Sequence, residues 1–155
     1  MPTSWADGQK DDEVLGRLVK LKREFGVGAV SQAVAQTLPA AVRKYCTRLW
    51  RTLQFRDGVL CRVTPAKGKE PETVQRLVPR GWRKEIIELV HGGALGGHMG
   101  FDRIYPVAKT RYFWVGMAAH FRRFLKSCHQ CAQIKPLPHR NMICLLYTSP
   151  SPRDS

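Results

Sequence analysis

The spacing of hydrophobic residues changes twice along the chain. Between residues 11 and 53 they recur every three or four positions, as in amphipathic helices. Between residues 53 and 78 they alternate or form short runs that are typical of strands. The helical spacing returns from residue 82 to residue 126. The pattern therefore predicts an α+β protein that is mostly helical, with N-terminal connector helices, a small antiparallel β extension and then a three-helix bundle.

Two long helices are predicted before the sheet, over residues 11–25 and 38–53. In the second, Cys46 falls on the apolar face, where a cysteine behaves as a small buried hydrophobe. The Ala- and Val-rich stretch 30–36 is ambiguous, and a short helix is the favoured interpretation. Residues 1–9 show no periodic pattern and are predicted to be disordered, with Trp5 exposed or weakly docked.

The β extension begins with a hairpin. Leu53–Thr64 contains two β-type runs separated by Asp57-Gly58, a dipeptide that favours a tight hairpin turn. Residues 74–78 supply a third strand after a charged loop. Three antiparallel strands are about the minimum for a stable sheet, so we expect this sheet to be stabilised by packing against the helices.

Three helices are predicted in the last part of the chain, over residues 82–90, 101–112 and 117–126. Asp102 is a candidate N-cap for the second of them. Pro106 lies about one turn into that helix, where a proline removes a backbone donor, and we expect it to bend or shorten the start.

Four residues near the ends of these helices have the chemistry of metal ligands. His91 and His98 flank a glycine-rich bend, and Cys128 and Cys131 form a Cys-x-x-Cys pair. Two imidazole nitrogens and two thiolates make a closed tetrahedral zinc site that leaves no position for a water. The sequence therefore predicts a structural Zn²⁺ that links segments distant in sequence.

Other roles for these residues remain open at this level. A Cys-x-x-Cys can be a redox pair, although a thioredoxin-like motif needs a preceding strand and residues 117–127 have a helical pattern. Five cysteines and no visible signal peptide argue against a disulfide framework. His120 and His139 are interpreted as ordinary surface residues, and His129, which lies between the two cysteines, is expected to point away from the site.

The charge balance indicates a polyanionic partner. The chain carries 26 Lys and Arg against 12 Asp and Glu, a net charge of +14, which favours nucleic acid over a solvated basic surface. No apolar run approaches the roughly 18 residues of a membrane span, so we expect no membrane partner, and no small-molecule substrate is indicated. The residues predicted to contact DNA phosphates, without reading sequence, are Arg80, Arg83, Lys84, Arg103, Lys109, Arg111, Arg122, Arg123 and Lys126.

Several motifs together resemble one family. They are Leu77-Val-Pro-Arg80, the His91 to His98 pair with Gly97-His98-Met99-Gly100, Tyr112-Phe-Trp-Val-Gly-Met117 and Cys128-His-Gln-Cys131. This set resembles the zinc-binding (HHCC) module of integrase in Ty3/gypsy-type LTR retrotransposon polyproteins. Phe55-Arg-Asp-Gly-Val-Leu60 resembles the β extension that precedes it, so the similarity covers about residues 50–137. Residues 10–50 resemble the connector that precedes integrase.

The resemblance implies a function. In that family the module helps integrase to multimerise and to position the ends of the element's DNA, and a following core with three carboxylates performs the chemistry. No carboxylate lies between Asp102 and Asp154 in this chain, so we expect no enzyme activity from it alone. The implied partners are DNA and other integrase protomers, in the nucleus or in a cytoplasmic virus-like particle.

This sequence departs from the family at three positions and differs completely at its end. Val115 stands where proline is usual, Pro106 where a helix former is usual, and His120 where an acidic residue is frequent. The run Cys144-Leu-Leu-Tyr-Thr-Ser is what a tagmentation sequencing adapter encodes. We therefore interpret residues 144–155 as translated adapter, the alternative being a natural Ser/Pro-rich tail.

The sequence thus predicts a disordered start (1–9), a helical connector (10–53), a β extension (54–79), the zinc-binding domain (80–137) and a disordered tail (138–155). The favoured function is a structural zinc module of a retrotransposon integrase. A host protein that keeps the module for interaction, without integration, is the alternative. A metal-dependent enzyme is disfavoured by the closed ligand set and the missing carboxylates.

Overall fold

A computed structural model describes residues 4–28, 30–93 and 96–134 of the chain. The predicted tail, with His139 and the adapter-like residues, lies outside them. The elements are α1 (Trp5–Asp11), α2 (Glu13–Phe25), α3 (Gln32–Thr37), α4 (Ala40–Arg48), β1 (Leu53–Arg56), β2 (Val59–Thr64), β3 (Thr73–Leu77), α5 (Arg83–Gly92), α6 (Phe101–Arg111), β4 (Tyr112–Phe113), α7 (Met117–Ser127) and α8 (His129–Ile134). Short 3₁₀ turns span Trp50–Thr52 and Arg80–Trp82. The α+β, mostly helical fold class is confirmed.

The hairpin forms at the predicted turn. Asp57 and Gly58 both have positive φ, 51° and 76°, as a two-residue turn between twisted strands requires. β1 pairs antiparallel with β2, and β2 pairs antiparallel with β3. The hairpin and the third strand are thus confirmed.

A fourth strand, β4, joins the sheet beyond the three that were predicted. It runs parallel to β3, with Arg76 opposite Tyr112 and Leu77 opposite Phe113. A parallel neighbour needs a long crossover, and here α5 and α6 provide it. A two-residue strand directly after a helix leaves no periodic signal, so the pattern of the sequence could not show it.

The buried apolar residues form two clusters. The first cluster joins α2 and α4 to the sheet and contains Leu15, Leu18, Val19, Val42, Tyr45, Cys46, Trp50, Leu53, Leu60 and Leu77. The second holds the last helices together and contains Val78, Trp82, Ile86, Ile87, Ile104, Ala108, Trp114, Met117 and Phe121. The burial of Cys46 is therefore confirmed.

The prediction of disorder before residue 10 is wrong for the part that the structure describes. α1 begins at Trp5, whose ring lies 5.0 Å from that of Trp82, edge to face. Gln9 is 1% exposed. Its Nε2 donates to the carbonyl oxygens of Leu60 and Leu77, both at 2.8 Å, and its Oε1 accepts from the Leu60 N–H at 2.7 Å. These long-range bonds hold a helix too short for the sequence pattern to reveal.

The connector helices differ from prediction mainly at their ends. Asp12 caps α2 by accepting hydrogen bonds from the backbone N–H groups of Val14 and Leu15. The predicted short helix is present as α3. The predicted helix over 38–53 ends earlier, as α4, because Leu53 is drawn into the first strand.

The three predicted helices of the bundle are present as α5, α6 and α7. Pro106 lies inside α6 without shortening it, and Gly100, not Asp102, is the N-cap residue. A short additional helix, α8, follows α7. No helix in the described part of the chain is long and apolar enough to cross a membrane.

We predict that Gln9→Ala lowers the free energy of unfolding by about 2–4 kcal/mol, because three buried backbone groups lose their partner. Urea denaturation followed by circular dichroism measures this loss. Gln32→Ala, an exposed change in α3, is the matched control and should change stability little. A loss no larger than that of the control would contradict the role given to Gln9.

Candidate metal centre

His91 is brought to the centre by the last turn of α5. Ile86 and Ile87 bury the same helix in the second cluster. The His91 side chain is itself buried, at 2% exposure. The ring of Phe124 on α7 meets it edge to face, 5.8 Å away. Packing therefore fixes the orientation of this imidazole before any ion is considered.

His98 returns to His91 through a bend that depends on glycine. A Cβ on Gly96 would overlap the carbonyl oxygens of Val90 and His91. Gly97 and His98 both have positive φ, 45° and 56°. The His98 N–H donates to the His91 carbonyl oxygen at 3.0 Å, which closes the bend and places the two rings 4.7 Å apart.

The two cysteines come from the junction of α7 and α8. Met117 and Phe121 anchor α7 in the second cluster. Cys128 ends that helix, and Cys131 lies in the short helix that follows. The Cys131 backbone N–H, with its side chain and the Gln130 backbone acting in the same direction, lowers the pKa of the Cys128 thiol against the opposing effect of burial. Cys128 is thus biased towards the thiolate form that binds metal.

The four donor atoms fit a tetrahedral zinc ion. His91 Nε2 lies 3.1 Å from His98 Nδ1, 3.1 Å from Cys131 Sγ and 3.3 Å from Cys128 Sγ. Cys128 Sγ lies 3.7 Å from His98 Nδ1, and all four atoms lie within 4.8 Å of one another. Ordinary Zn–N and Zn–S bond lengths give tetrahedral edges of about 3.3–3.8 Å.

The electrostatics at His91 favour the ligand form of the ring. Burial lowers the pKa of His91, and the neighbouring His98 lowers it further, while the Met99 backbone acts in the opposite direction. A neutral imidazole is the species that binds a metal ion. With four protein donors the ion would have no open position, so its contribution would be structural.

The structure brings together the whole predicted ligand set. Among the described residues, these four are the one group of three or more His, Cys, Asp or Glu side chains that could hold an ion. The described cysteines form no disulfide, and Cys46 and Cys61 are buried elsewhere. A helix precedes the Cys-x-x-Cys, so the thioredoxin-like alternative lacks its strand.

The nine basic residues predicted to contact DNA are distributed over α5, α6, α7 and the turn before them. Four already have local contacts. The Arg83 guanidinium lies over Trp114 and that of Arg122 over Phe101. Arg103 lies near the Met99 sulfur, and Lys84 pairs with Glu88 at 3.7 Å. The other five are exposed and form no ion pair with described residues: Arg80, Lys109, Arg111, Arg123 and Lys126. Their role stays a prediction.

Two polar side chains outside the metal centre make contacts that were not identified from the sequence. His120, predicted as an ordinary surface residue, accepts a hydrogen bond at Nδ1 from the Trp114 indole N–H at 2.8 Å. The Tyr45 hydroxyl accepts from the Val115 N–H at 3.2 Å and thereby ties α4 to the bundle. The position of His120 six residues after a tryptophan was the available signal, but only the fold of the intervening turn makes the two meet.

Comparison with known proteins agrees with this geometry. Residues 78–137 match the family described as integrase zinc binding domain, and the match includes all four candidate ligands. No curated protein and no solved structure matches the chain. The match and the donor cluster together support a structural zinc-binding module of the integrase type.

We predict that the purified chain binds about one zinc ion per molecule. His98→Ala should abolish zinc binding and unfold the bundle, because the free energy of metal binding contributes directly to the stability of the folded state. Plasma mass spectrometry gives the stoichiometry, and circular dichroism gives the helix content.

His129→Ala is the matched control, since His129 lies between the cysteine ligands but is exposed. It should retain zinc. Equal zinc content in the two variants would exclude His98 as a ligand.

We also predict a pH dependence that arises from His120. Burial first, and then Arg83, Arg123 and Arg80, lower its pKa in the folded protein. Protonation therefore favours the unfolded chain. The stabilisation is fully present above the unfolded-state value of about 6.5 and is lost as pH falls through the lower folded-state value.

The comparison is with His120→Asn, whose side-chain oxygen accepts from Trp114 without titrating. Because the zinc ligands titrate in both proteins, the difference between their unfolding free energies isolates His120. Wild type should lose more stability than the variant between pH 7.5 and pH 6. Parallel pH profiles would show that His120 contributes no such linkage.

Proposed function

We propose that this chain acts as the zinc-binding module of an LTR retroelement integrase of the Ty3/gypsy type, assisting multimerisation and holding DNA during integration. The observation that carries the proposal is the convergence of His91, His98, Cys128 and Cys131 within a segment that matches the integrase zinc binding domain. These residues would hold a zinc ion between the end of α5 and the end of α7, and the bound ion would stabilise the surface that such a module presents to its partners.

A role in architecture, not in chemistry, is supported by the ligand set. Four protein donors leave no site at which a metal-bound water would form. Strand transfer by two metal ions needs several carboxylates, and none lies between Asp102 and Asp154. We propose that catalysis belongs to a separate core and that this chain alone neither cuts nor joins DNA.

Association with DNA is supported by charge. The net charge is +14, and Arg123 and Lys126 are exposed on α7, the helix that ends at Cys128. Basic residues distributed over several elements suit phosphate contacts, which position a protein on DNA without specifying a sequence. The corresponding partners are DNA ends and other integrase protomers, in the nucleus or in a virus-like particle.

We predict that the zinc-loaded chain binds duplex DNA with little sequence preference, and that affinity falls at least about tenfold between 50 and 200 mM salt, as release of counterions from two or more phosphates requires. Fluorescence anisotropy with three unrelated 20-base-pair duplexes measures this. Light scattering on the same samples reports whether the chain multimerises.

Arg123→Glu/Lys126→Glu should weaken duplex binding more than Arg17→Glu/Lys20→Glu, a control with the same charge change on exposed residues of α2. Strong preference for one duplex, or affinity that does not change with salt, would contradict the proposal. A chain that is monomeric at every concentration would contradict the part that concerns multimerisation.

A further inference from the structure

A cleft separates the connector helix α4 from the corner where α6, β4 and α7 meet. Its volume is about 840 Å³, which is within the range of small-molecule and cofactor sites. The hydrogen bond from the Val115 N–H to the Tyr45 hydroxyl joins its two sides at 3.2 Å. The cleft is therefore framed by two parts of the fold that are held at a fixed separation.

One wall of the cleft is basic. Arg43, Lys44 and Arg48 line it from α4, and no carboxylate is among the described residues that line it. The Arg43 guanidinium is fixed by donating to the carbonyl oxygens of Gln36 and Leu38, at 3.2 and 3.0 Å. Lys44 and Arg48 are exposed and form no ion pair with described residues. The wall thus presents positive charge that no acidic side chain in the described part of the chain neutralises.

The opposite wall is aromatic. Tyr105 and Phe113 are half-buried and line the cleft together with the buried Trp114. Arg62 lies over the Phe113 ring, 4.6 Å from its centroid, and Phe101 stacks on Tyr105 at 4.8 Å. These contacts hold the two rings in place, so little conformational freedom would be lost when a flat ligand packs against them.

The floor of the cleft includes the first turn of α7. Gly116 is its N-cap residue, with φ of 83°, and no side chain caps the turn. The positive end of an 11-residue helix therefore adds to the charge of the α4 wall. Positive charge and aromatic surface therefore line the same cleft from different elements.

We propose that this cleft binds a single-stranded segment of nucleic acid, with phosphates against Lys44 and Arg48 and a base packed against Phe113 or Tyr105. Alternating phosphates and bases match a basic wall opposite an aromatic one, the combination by which single strands are bound without sequence preference. The bases of a duplex are already stacked on each other and cannot enter. An acidic peptide would use the basic wall only, so the aromatic wall favours nucleic acid.

This site is separate from the surface considered above. None of the nine basic residues assigned there from the sequence lines the cleft, whose cations come from α4 in the connector. The proposal extends the association with DNA to unpaired strands. It does not require that duplex binding or multimerisation be correct.

The double variant Lys44→Glu/Arg48→Glu, made in the full zinc-loaded chain, tests the proposal that the cleft binds single strands. The probes are a fluorescein-labelled 12-nucleotide mixed-sequence single strand, the matching duplex and poly-glutamate. We expect the wild type to bind the single strand at least fivefold more tightly than the duplex at 100 mM salt. We expect the double variant to lose at least tenfold of the single-strand affinity and much less of the duplex affinity.

Two controls separate this site from general charge effects. Arg17→Glu/Lys20→Glu has the same net charge change outside the cleft and should lower single-strand affinity less than threefold. Arg123→Glu/Lys126→Glu should weaken the duplex and spare the single strand. Circular dichroism confirms that each variant is folded before its affinity is interpreted.

Packing of a base is read directly with 2-aminopurine in the single strand, whose fluorescence changes when it stacks on an aromatic ring. A change with wild type that is absent with Lys44→Glu/Arg48→Glu supports the proposal. Equal loss in the cleft variant and the α2 control overturns it. The proposal is also overturned if poly-glutamate of equal charge displaces the single strand and 2-aminopurine fluorescence does not change on binding. That result would identify a site for acidic peptides.

Discussion

The convergence of two imidazoles and two thiols is the constraint on which the C-terminal half of the structure depends. His91 and Cys128 lie at the ends of different helices, α5 and α7. A bundle this small buries limited surface, so an ion shared by both ends would contribute much of its stability. The bend that brings His98 to His91 requires glycine at position 96, because a side chain there would collide with the backbone carbonyl oxygens of Val90 and His91.

The sheet connects this bundle to the rest of the chain. β4 leaves the bundle and pairs with β3, while Gln9 reaches from α1 to the backbone of β2 and β3. Tyr45 makes a further link from α4 to the turn before α7. The connector is therefore held in place by hydrogen bonds to the rest of the fold. It packs against the zinc-binding module and supplies one wall of the cleft, so the two parts jointly create a surface that neither has alone.

Features that depend on local interactions were predicted from the sequence, whereas features that depend on contacts between distant residues were not. The hairpin at Asp57-Gly58 and the long amphipathic helices were predicted because local backbone preference and side-chain periodicity determine them. α1 was missed because it is short and is held by bonds to residues more than fifty positions away. The role of His120 was missed for a related reason, since its partner, Trp114, is reached only after the chain turns at Gly116.

The sequence by itself determined the candidate metal ligands, because two histidines and a Cys-x-x-Cys carry their coordination chemistry in any fold that lets them meet. It also determined the positive charge of the chain. Only the tertiary structure decided which basic residues stand opposite aromatic rings, since Lys44 and Phe113 belong to elements that are distant in sequence and meet across a cleft. Ligand chemistry is a property of residues, whereas a binding surface is a property of their packing.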